Sequence, residues 1–168
     1  MLGFVGLGIS GIDSISIKTQ KLIEGADVVY LEQFTSPISK SELSKLKKIV
    51  RGEFKIGKRW MVEDGKEILN NSKKKKVLLL TYGDPFIATT HIDLRTRAIQ
   101  EKIKTFTIHA ASSITAIVGE CGLHYYKVGR IVTVMNDLKS MTTPYYAIYK
   151  NVLLYCDIQS FKPKWLKF

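Results

Sequence analysis

Three short segments of the chain combine turn-forming residues with polar groups that could bind a ligand. Gly6–Gly11 reads G-x-G-x-x-G, and glycines at this spacing allow a tight turn and close backbone approach to a phosphate. Thr81–His91 contains Gly-Asp-Pro, in which Asp84 could cap a helix or line a ligand cleft. His109–Ser113 ends in two serines, which suit a helix N-cap and equally a bound carboxylate or ribose.

The remaining reactive residue types form no recognisable catalytic or metal-binding pattern. The histidines at 91, 109 and 124 lack metal-ligand spacing, so each is interpreted as a structural or surface residue. Cys121 and Cys156 are far apart in sequence and form no C-x-x-C pair, so they indicate neither a zinc knuckle nor a disulfide framework. We therefore expect no metal, and no Ser-His-Asp or Cys-His arrangement is evident.

The elements that must position these loops alternate between short apolar runs and helical stretches. Such alternation predicts an α/β fold, with a parallel sheet covered by helices on both faces and a partial second α/β domain. Residues 1–110 form the predicted first domain, and 111–168 a linker helix and a truncated second domain. Predicted strands are Leu2–Val5, Asp27–Leu31, Phe54–Ile56, Val77–Leu80, Thr105–Ile108, Ile131–Met135 and Val152–Cys156. Predicted helices are Ser16–Glu24, Ser39–Arg51, Val62–Asn71, Thr89–Ile103, Ser112–Glu120 and Tyr145–Lys150.

In such a sheet, ligands bind beyond the carboxyl ends of the strands, where the three segments above are predicted to lie. A dinucleotide-binding oxidoreductase is one alternative, since Gly6–Gly11 follows a strand and Glu32 ends the next one. Ile12–Ser16 continues as loop rather than helix, however. We therefore predict that Gly6–Gly11 does not bind the pyrophosphate of NAD.

The chain is strongly basic, with 26 Lys and Arg against 15 Asp and Glu in 168 residues, a formal charge of +11. This balance fits either an anionic partner or a lysine-rich solvated surface. The run Lys73–Lys76 is interpreted as a solvated turn at the end of a helix. The apolar start of the chain is too short to span a membrane, and a cytoplasmic location is expected.

Four segments together resemble the diphthine synthase family of S-adenosylmethionine-dependent methyltransferases, within the tetrapyrrole-methylase-like class. Gly-Asp-Pro alone marks the wider class, whereas Gly-Asp-Pro-x-x-Ala-Thr-Thr-His is much more specific, and the resemblance covers about residues 1 to 158. The four segments are Phe4–Gly8, Gly83–His91 with Leu94-Arg95, Ile108–Ala110 leading into Ser112, and Gly122–His124 with Tyr126–Gly129.

The resemblance implies S-adenosylmethionine as cofactor and translation elongation factor 2 as protein substrate in diphthamide biosynthesis. The methyl acceptor would be the amino group of an aminocarboxypropyl chain on a modified histidine, which burial helps to keep unprotonated. No general base is implied. The cofactor contacts carried over by position are Ile9, Asp84, Ile87, Ser112, Ser113 and Cys156.

The sequence also departs from the family. Tyr82 and Ala111 replace common prolines, Ser113 replaces an apolar residue, and Asn136–Pro144 lacks a large aromatic residue. The chain ends before the second domain of the family is complete. We therefore expect little activity from the chain alone, and a homodimer or a complementing second-half polypeptide as partner. A non-catalytic remnant that binds a protein through its basic surface is a further alternative; no direct nucleic-acid or membrane partner is expected.

Overall fold

The computed structural model describes residues 1–36, 38–129, 132–134 and 154–156. The chain forms two compact units, Met1–Ser113 and Ile114–Phe168. The domain boundary after residue 110 stays a prediction.

A parallel five-stranded sheet forms the centre of the first unit, as predicted. Its strands are β1 (Leu2–Gly6), β2 (Val28–Glu32), β3 (Glu53–Gly57), β4 (Val77–Thr81) and β5 (Thr105–Ile108). Strand order is β3-β2-β4-β1-β5, and every neighbouring pair is parallel. The three central strands β2, β4 and β1 are completely buried, as expected of apolar runs covered on both faces.

Six helices follow the strands in the described part of the chain. Ser16 and Ser39 are N-caps, as their side chains accept hydrogen bonds from the amides of Thr19 and Glu42. Short 3-10 turns occur at Ile12–Ser14 and Tyr125–Lys127. The helices are α1 (Ile17–Glu24), α2 (Lys40–Ile49), α3 (Arg59–Asp64), α4 (Lys66–Lys74), α5 (His91–Gln100) and α6 (Ser113–Glu120).

Two helix predictions were wrong in extent. The predicted helix Val62–Asn71 is two helices, because Gly65 between α3 and α4 has φ 67°. A residue with a Cβ would be strained at this φ, and its Cβ would lie 2.5 Å from the Leu94 side chain, which would have to shift. The predicted helix Thr89–Ile103 is only α5, because its first two residues remain in the preceding loop and Lys102 has a left-handed φ of 58°.

Helices cover both faces of the sheet. On one face, α1 and α2 insert Ile23 and Leu46 against strand residues such as Leu80. On the other, α4 and α5 insert Ile68 and Leu94 against residues including Phe4, Tyr30 and Leu79. Burial of each such side chain contributes about 1.5–3 kcal/mol, so the two apolar layers hold the helices on the sheet.

The second unit contains a parallel strand pair, β6 (Val132–Val134) with β7 (Leu154–Cys156). These strands overlap the predicted strands Ile131–Met135 and Val152–Cys156. The predicted helix Tyr145–Lys150 and the segment Gln159–Phe168 lie outside the described residues. Within the described part of the chain, none of the helices has the length and apolar character to cross a membrane.

Candidate functional site

The loops after β1, β4 and β5 meet at the carboxyl ends of three adjacent strands. Gly6, the last residue of β1, has no room for a side chain. A Cβ there would lie 2.6 Å from the carbonyl oxygen of Gly83 and 2.8 Å from the Ala110 Cβ. The Leu7 amide also donates to the Thr81 carbonyl at 2.9 Å. This close approach brings the three polar segments of the sequence together.

Gly8 and Gly83 join the first two loops by a reciprocal pair of backbone hydrogen bonds. The Gly83 amide donates to the Gly8 carbonyl at 2.8 Å, and the Gly8 amide donates back at 3.3 Å. Their φ angles are 72° and 77°, a conformation that favours glycine. A Cβ at either position would meet nothing within 4 Å. Open space beside both glycines allows a ligand to approach the backbone directly.

Asp84 links the second loop to the third. Its carboxylate accepts from the Phe86 amide at 3.0 Å, from the Ala110 amide at 3.3 Å and from the His109 Nδ1 at 2.7 Å. It does not cap a helix, because α5 begins seven residues later, at His91. A carboxylate offers about four acceptor positions. Three are used by contacts among the described residues, which leave one position for a ligand.

The Gly-Asp-Pro-x-x-Ala-Thr-Thr-His segment is a loop tied to itself. The Pro85 carbonyl accepts from the Thr89 hydroxyl at 2.6 Å and from the His91 Nδ1 at 3.0 Å. Ala88 has a left-handed φ of 55°, a strained conformation for an alanine. The motif residues therefore fix the shape of this loop. Strain at such a position is typical of ligand-binding loops.

His91 supports that loop from below as a neutral residue. It is fully buried, and desolvation lowers its pKa to about 4. Its Nδ1 donates to the Pro85 carbonyl, so Nε2 is the unprotonated nitrogen and has no hydrogen-bond partner among the described residues. His91 thus supports the loop from within the core, and its interpretation as a structural residue rather than a ligand stays a prediction.

Sequence reasoning missed the contact between His109 and Asp84. The histidine side chain is largely exposed, and its ring meets that of Phe86 edge to face at 6.1 Å. Phe86 in turn packs on Phe4 with ring centroids 5.4 Å apart, and the Arg95 guanidinium lies 5.5 Å from its ring. No sequence signal could have revealed this contact, because it depends on β4 and β5 flanking β1.

Five of the six residues carried over from the resemblance lie on the three converging loops or directly after them. Ile9 and Ile87 follow the paired glycines and are 46% and 39% exposed. Ser112 is buried and Ser113 begins α6. Cys156 ends β7 in the second unit.

Glu42 on α2 fixes the far end of the first loop. Its carboxylate accepts from the Ile12 amide at 2.6 Å and pairs with Lys45 at 3.0 Å. The hydrogen bond from Ile12 lowers the pKa of Glu42 most, and the interaction with Lys45 lowers it further. A Cβ on Gly11 would lie 2.8 Å from the same carboxylate. The Tyr82 hydroxyl donates to it at 3.4 Å, and burial, with Glu42 nearby, raises the pKa of Tyr82 to about 12.

This arrangement argues against binding of a dinucleotide. A carboxylate holds the Ile12 amide that a phosphate would need, and regular α-helix begins only at Ile17. In dinucleotide-binding folds β1 lies between β2 and β4, whereas here it lies between β4 and β5. Glu32 is buried and accepts from the Thr35 amide at 2.6 Å, so it shapes its own loop.

No cluster of three or more His, Cys, Asp or Glu side chains suited to a metal ion occurs among the described residues. The chemistry available at the three loops consists of open glycine backbone, exposed isoleucines and one spare acceptor on Asp84. Such a surface can hold a ligand with both apolar and hydrogen-bonding parts.

Comparison with known proteins agrees with this geometry. The family model described as Tetrapyrrole (Corrin/Porphyrin) Methylases matches residues 1–157. A diphthine synthase from Methanococcoides burtonii is 38% identical over 160 residues, covering 90% of this chain and 60% of that protein. A diphthine methyl ester synthase from Saccharomyces cerevisiae is 40% identical over 136 residues, covering 80% of this chain and 45% of that protein.

A solved diphthine synthase structure is similar over 94% of this chain and 64% of its own, with a TM-score of 0.82 and 34% identity. The chain thus spans about 60–65% of the length of the first relatives that it matches. From its sequence and its fold, the chain belongs to the tetrapyrrole methylase family, in which it is similar to the diphthine synthases.

Proposed function

We propose that the chain contributes to S-adenosylmethionine-dependent methylation of the modified histidine of translation elongation factor 2, in diphthamide biosynthesis. The observation that carries this proposal is the junction of Gly8, Gly83 and Asp84 beyond the carboxyl ends of β1 and β4. It offers a backbone surface without side chains beside a carboxylate that keeps a free acceptor position. The similarity to diphthine synthases supports the same function.

The residues present fit S-adenosylmethionine in chemical type. Ile9 and Ile87 offer exposed apolar side chains for a flat base or ribose carbons. Asp84 offers an acceptor for an ammonium or a ribose hydroxyl. Ser112 and Ser113 are proposed contacts from the resemblance, as is Cys156 in the second unit.

S-adenosylmethionine supplies a methyl group that is already activated on a sulfonium. The protein must orient the acceptor and exclude water from it. Loops fixed by Asp84 and Glu42 suit orientation, since their shape is set before a ligand arrives. No side chain is assigned as general base. A buried acceptor amine loses its proton more readily, which favours attack on the methyl group.

Elongation factor 2 is the proposed protein substrate, and a homodimer or a complementing second polypeptide the proposed assembly. A cytoplasmic location is proposed with them. Catalysis by the tested polypeptide alone is expected to be weak if residues beyond this chain complete the cofactor site. Light scattering of the purified protein, with and without elongation factor 2, measures both associations.

A second candidate is methylation of a carboxylate, because the yeast relative is named a methyl ester synthase. The two products differ chemically. A methyl ester is hydrolysed by mild alkali, whereas N-methyl groups are stable. The stability of the transferred methyl group in alkali therefore separates the two candidates.

Ligand binding tests the cofactor class directly. S-adenosylhomocysteine should raise the thermal midpoint, with a stabilisation of about 2.7 kcal/mol at a hundredfold excess over its dissociation constant. NAD at the same concentration should give no shift. A shift with NAD alone would support the dinucleotide alternative, and a shift with neither would support the non-catalytic remnant.

Transfer of labelled methyl groups tests the substrate class. Elongation factor 2 that carries the aminocarboxypropyl histidine is incubated with the protein and labelled S-adenosylmethionine, then divided and treated with or without alkali. Alkali-stable label supports amine methylation, and alkali-labile label supports the ester. A factor whose histidine is unmodified is the control. Label on that control would exclude the proposed acceptor.

A further inference from the structure

The amino-terminal ends of the five parallel strands, opposite the candidate site, carry a concentration of positive charge. We propose that this amino edge binds the phosphate backbone of nucleic acid. The amino-edge cluster consists of Lys48, Arg51, Lys74, Lys75, Lys76 and Lys104. These residues are far apart in sequence, and the sheet brings them to one edge.

A row of backbone hydrogen bonds connects the segments at this edge. The Leu2 amide donates to the Lys104 carbonyl at 2.9 Å, and the Val77 amide donates to the Met1 carbonyl at 2.9 Å. The Asp27 amide donates to the Lys76 carbonyl at 2.9 Å, and its carbonyl accepts from Glu53 at 2.9 Å. The cationic segments are thus neighbours. Five strands at about 4.8 Å spacing give an edge of about 19 Å.

The helices add charge to the same edge. α2 and α4 run back from the carboxyl ends of their preceding strands, so their C-termini lie beside the starts of β3 and β4. Lys48 and Lys74 stand in these last turns, where a cation also interacts favourably with the helix dipole. The helix dipole therefore stabilises the charge of these two lysines, which have no carboxylate partner among the described residues.

The cations of this cluster have no ion pair among the described residues, and all except the half-buried Lys76 are exposed. The carboxylates nearby have other partners. Asp27 accepts from the Lys76 backbone amide at 2.6 Å, Glu53 pairs with Lys55 at 3.1 Å, and Glu101 pairs with Lys73 at 2.7 Å. The cluster therefore presents five exposed cations and the half-buried Lys76, none with an ion pair among the described residues, beside the single carboxylate of Asp27, whose partner is a neutral amide.

The composition of the edge favours a polyphosphate over a protein surface. Lysine is depleted at protein–protein interfaces, which rely on aromatic and apolar anchors. Phosphate backbones are bound mainly by lysine and arginine, with little demand for apolar contact. In the first unit, the exposed isoleucines and Trp60 of the strand-end loops and helix N-termini lie at the opposite edge. Ile99, near the C-terminus of α5, is an exposed apolar residue on the side of the amino edge. A membrane partner would also require an apolar insertion surface.

This inference departs from the sequence expectation that no nucleic acid is bound. That expectation interpreted Lys73–Lys76 alone as a solvated turn. Strand order changes the argument, because Arg51 and Lys104 join the run from both sides. The inference does not depend on the methyltransferase proposal, since it uses none of the residues of the candidate site.

Fluorescence anisotropy with labelled 20-base-pair RNA and DNA duplexes of unrelated sequence, at 50 and 200 mM salt, tests the proposal. For about four phosphate contacts, the fourfold rise in salt should weaken binding about 100-fold. A variant without four amino-edge charges should bind at least about tenfold more weakly at 50 mM salt. A control without four exposed lysines at helix N-termini has the same net charge and should change less than about threefold. The edge variant is Arg51→Gln, Lys74→Gln, Lys75→Gln and Lys104→Gln; the control is Lys18→Gln, Lys40→Gln, Lys58→Gln and Lys66→Gln.

A loss of duplex affinity in the edge variant but not in the control supports the proposal. Tighter binding to one of the two duplexes identifies the nucleic acid as RNA or DNA. Equal losses in both variants, or no binding by the original protein at 50 mM salt, overturn it. Binding to vesicles containing phosphatidylserine without binding to duplexes also overturns it, in favour of a membrane. Thermal melts monitor folding, and the double variant Lys75→Gln/Lys104→Gln repeats the test if the fourfold variant unfolds.

Discussion

The two edges of the five-stranded sheet use their charged residues in opposite ways. At the carboxyl edge, Glu32, Glu42 and Asp84 accept hydrogen bonds from loop amides. At the amino edge, Arg51 and the lysines of the amino-edge cluster, all exposed except Lys76, have no ion pairs in the described part of the chain. The carboxylates at the carboxyl edge fix the shape of the loops. The cations at the amino edge present charge, and the strands set the shape of that edge. The comparison separates residues that build a site from residues that present charge at a surface.

The largest effect expected at the carboxyl edge is a dependence of the free energy of unfolding on pH, caused by His91. Its folded pKa of about 4 lies below the ordinary 6.5, so the unfolded chain binds more protons in that interval. The contribution of neutral His91 to the free energy of unfolding is complete above about pH 6.5 and is lost as the pH falls towards 4. Unfolding in urea should show a loss of about 3 kcal/mol by pH 4 from this residue.

The variant His91→Gln keeps an amide donor without a titrating group and should have a flatter pH profile between pH 6.5 and 4. His124→Gln, on an exposed residue, is the matched control and should retain the original profile. Identical profiles for His91→Gln and the original protein would show that burial of this histidine does not control acid stability.

Removal of the Asp84 carboxylate should be the next largest effect. Asp84→Ala leaves the Phe86 and Ala110 amides without their acceptor, which costs about 1–3 kcal/mol. We expect lower stability and weaker binding of S-adenosylhomocysteine in calorimetry. The matched amino-edge control is Asp27→Ala, which removes the acceptor of the Lys76 amide. It should lower stability without changing ligand affinity, and a similar affinity loss in both variants would remove the distinction between the edges.

Glu42 should have a smaller effect that is specific to the first loop. Glu42→Ala frees the Ile12 amide and should weaken binding of S-adenosylhomocysteine, but less than Asp84→Ala. Glu42→Gln retains an acceptor oxygen and should restore most of the affinity. Calorimetry of both variants, with Glu24→Ala on α1 as control, checks the order. Equal losses in the alanine and glutamine variants would indicate that charge, rather than loop position, is the cause.

The smallest expected effect concerns stability at the amino edge. Lys74→Gln/Lys75→Gln removes two exposed cations without ion-pair partners among the described residues, and should change the free energy of unfolding by less than about 0.5 kcal/mol. Urea denaturation measures this change. A loss above 1 kcal/mol, a level about twice that expected for surface substitutions, would mean that the lysines hold the fold together.

Most of the secondary structure of the first unit was predictable because it depends on neighbours in sequence. Buried apolar runs predicted the three central strands, and the predicted helices from Ser16 and Ser39 begin one residue later because these serines are N-caps. The failure at Val62–Asn71 has a tertiary cause. Gly65 ends α3 with a positive φ, and a Cβ there would also lie 2.5 Å from the side chain of Leu94, which is distant in sequence.

The candidate site was predictable as a set of loops but not as a set of contacts. Gly-Asp-Pro-x-x-Ala-Thr-Thr-His indicated Asp84, yet its partners on the β5 loop and the role of Glu42 on α2 were not evident. These contacts join residues 26 and 30 positions apart. Residue type alone does not specify such pairing, because it depends on strand order.

The sequence by itself therefore determined the elements, the turn residues and the total charge of this protein, since local conformational preferences and apolar periodicity specify them. Only the tertiary structure decided which loops meet and where the charge is concentrated. The insertion of β4 between β2 and β1 joins Gly8 to Gly83 and places Lys75 and Lys76 between Met1 and Asp27. Parallel strands begin at one edge and end at the other, so a single strand order positions both the candidate site and the cationic surface.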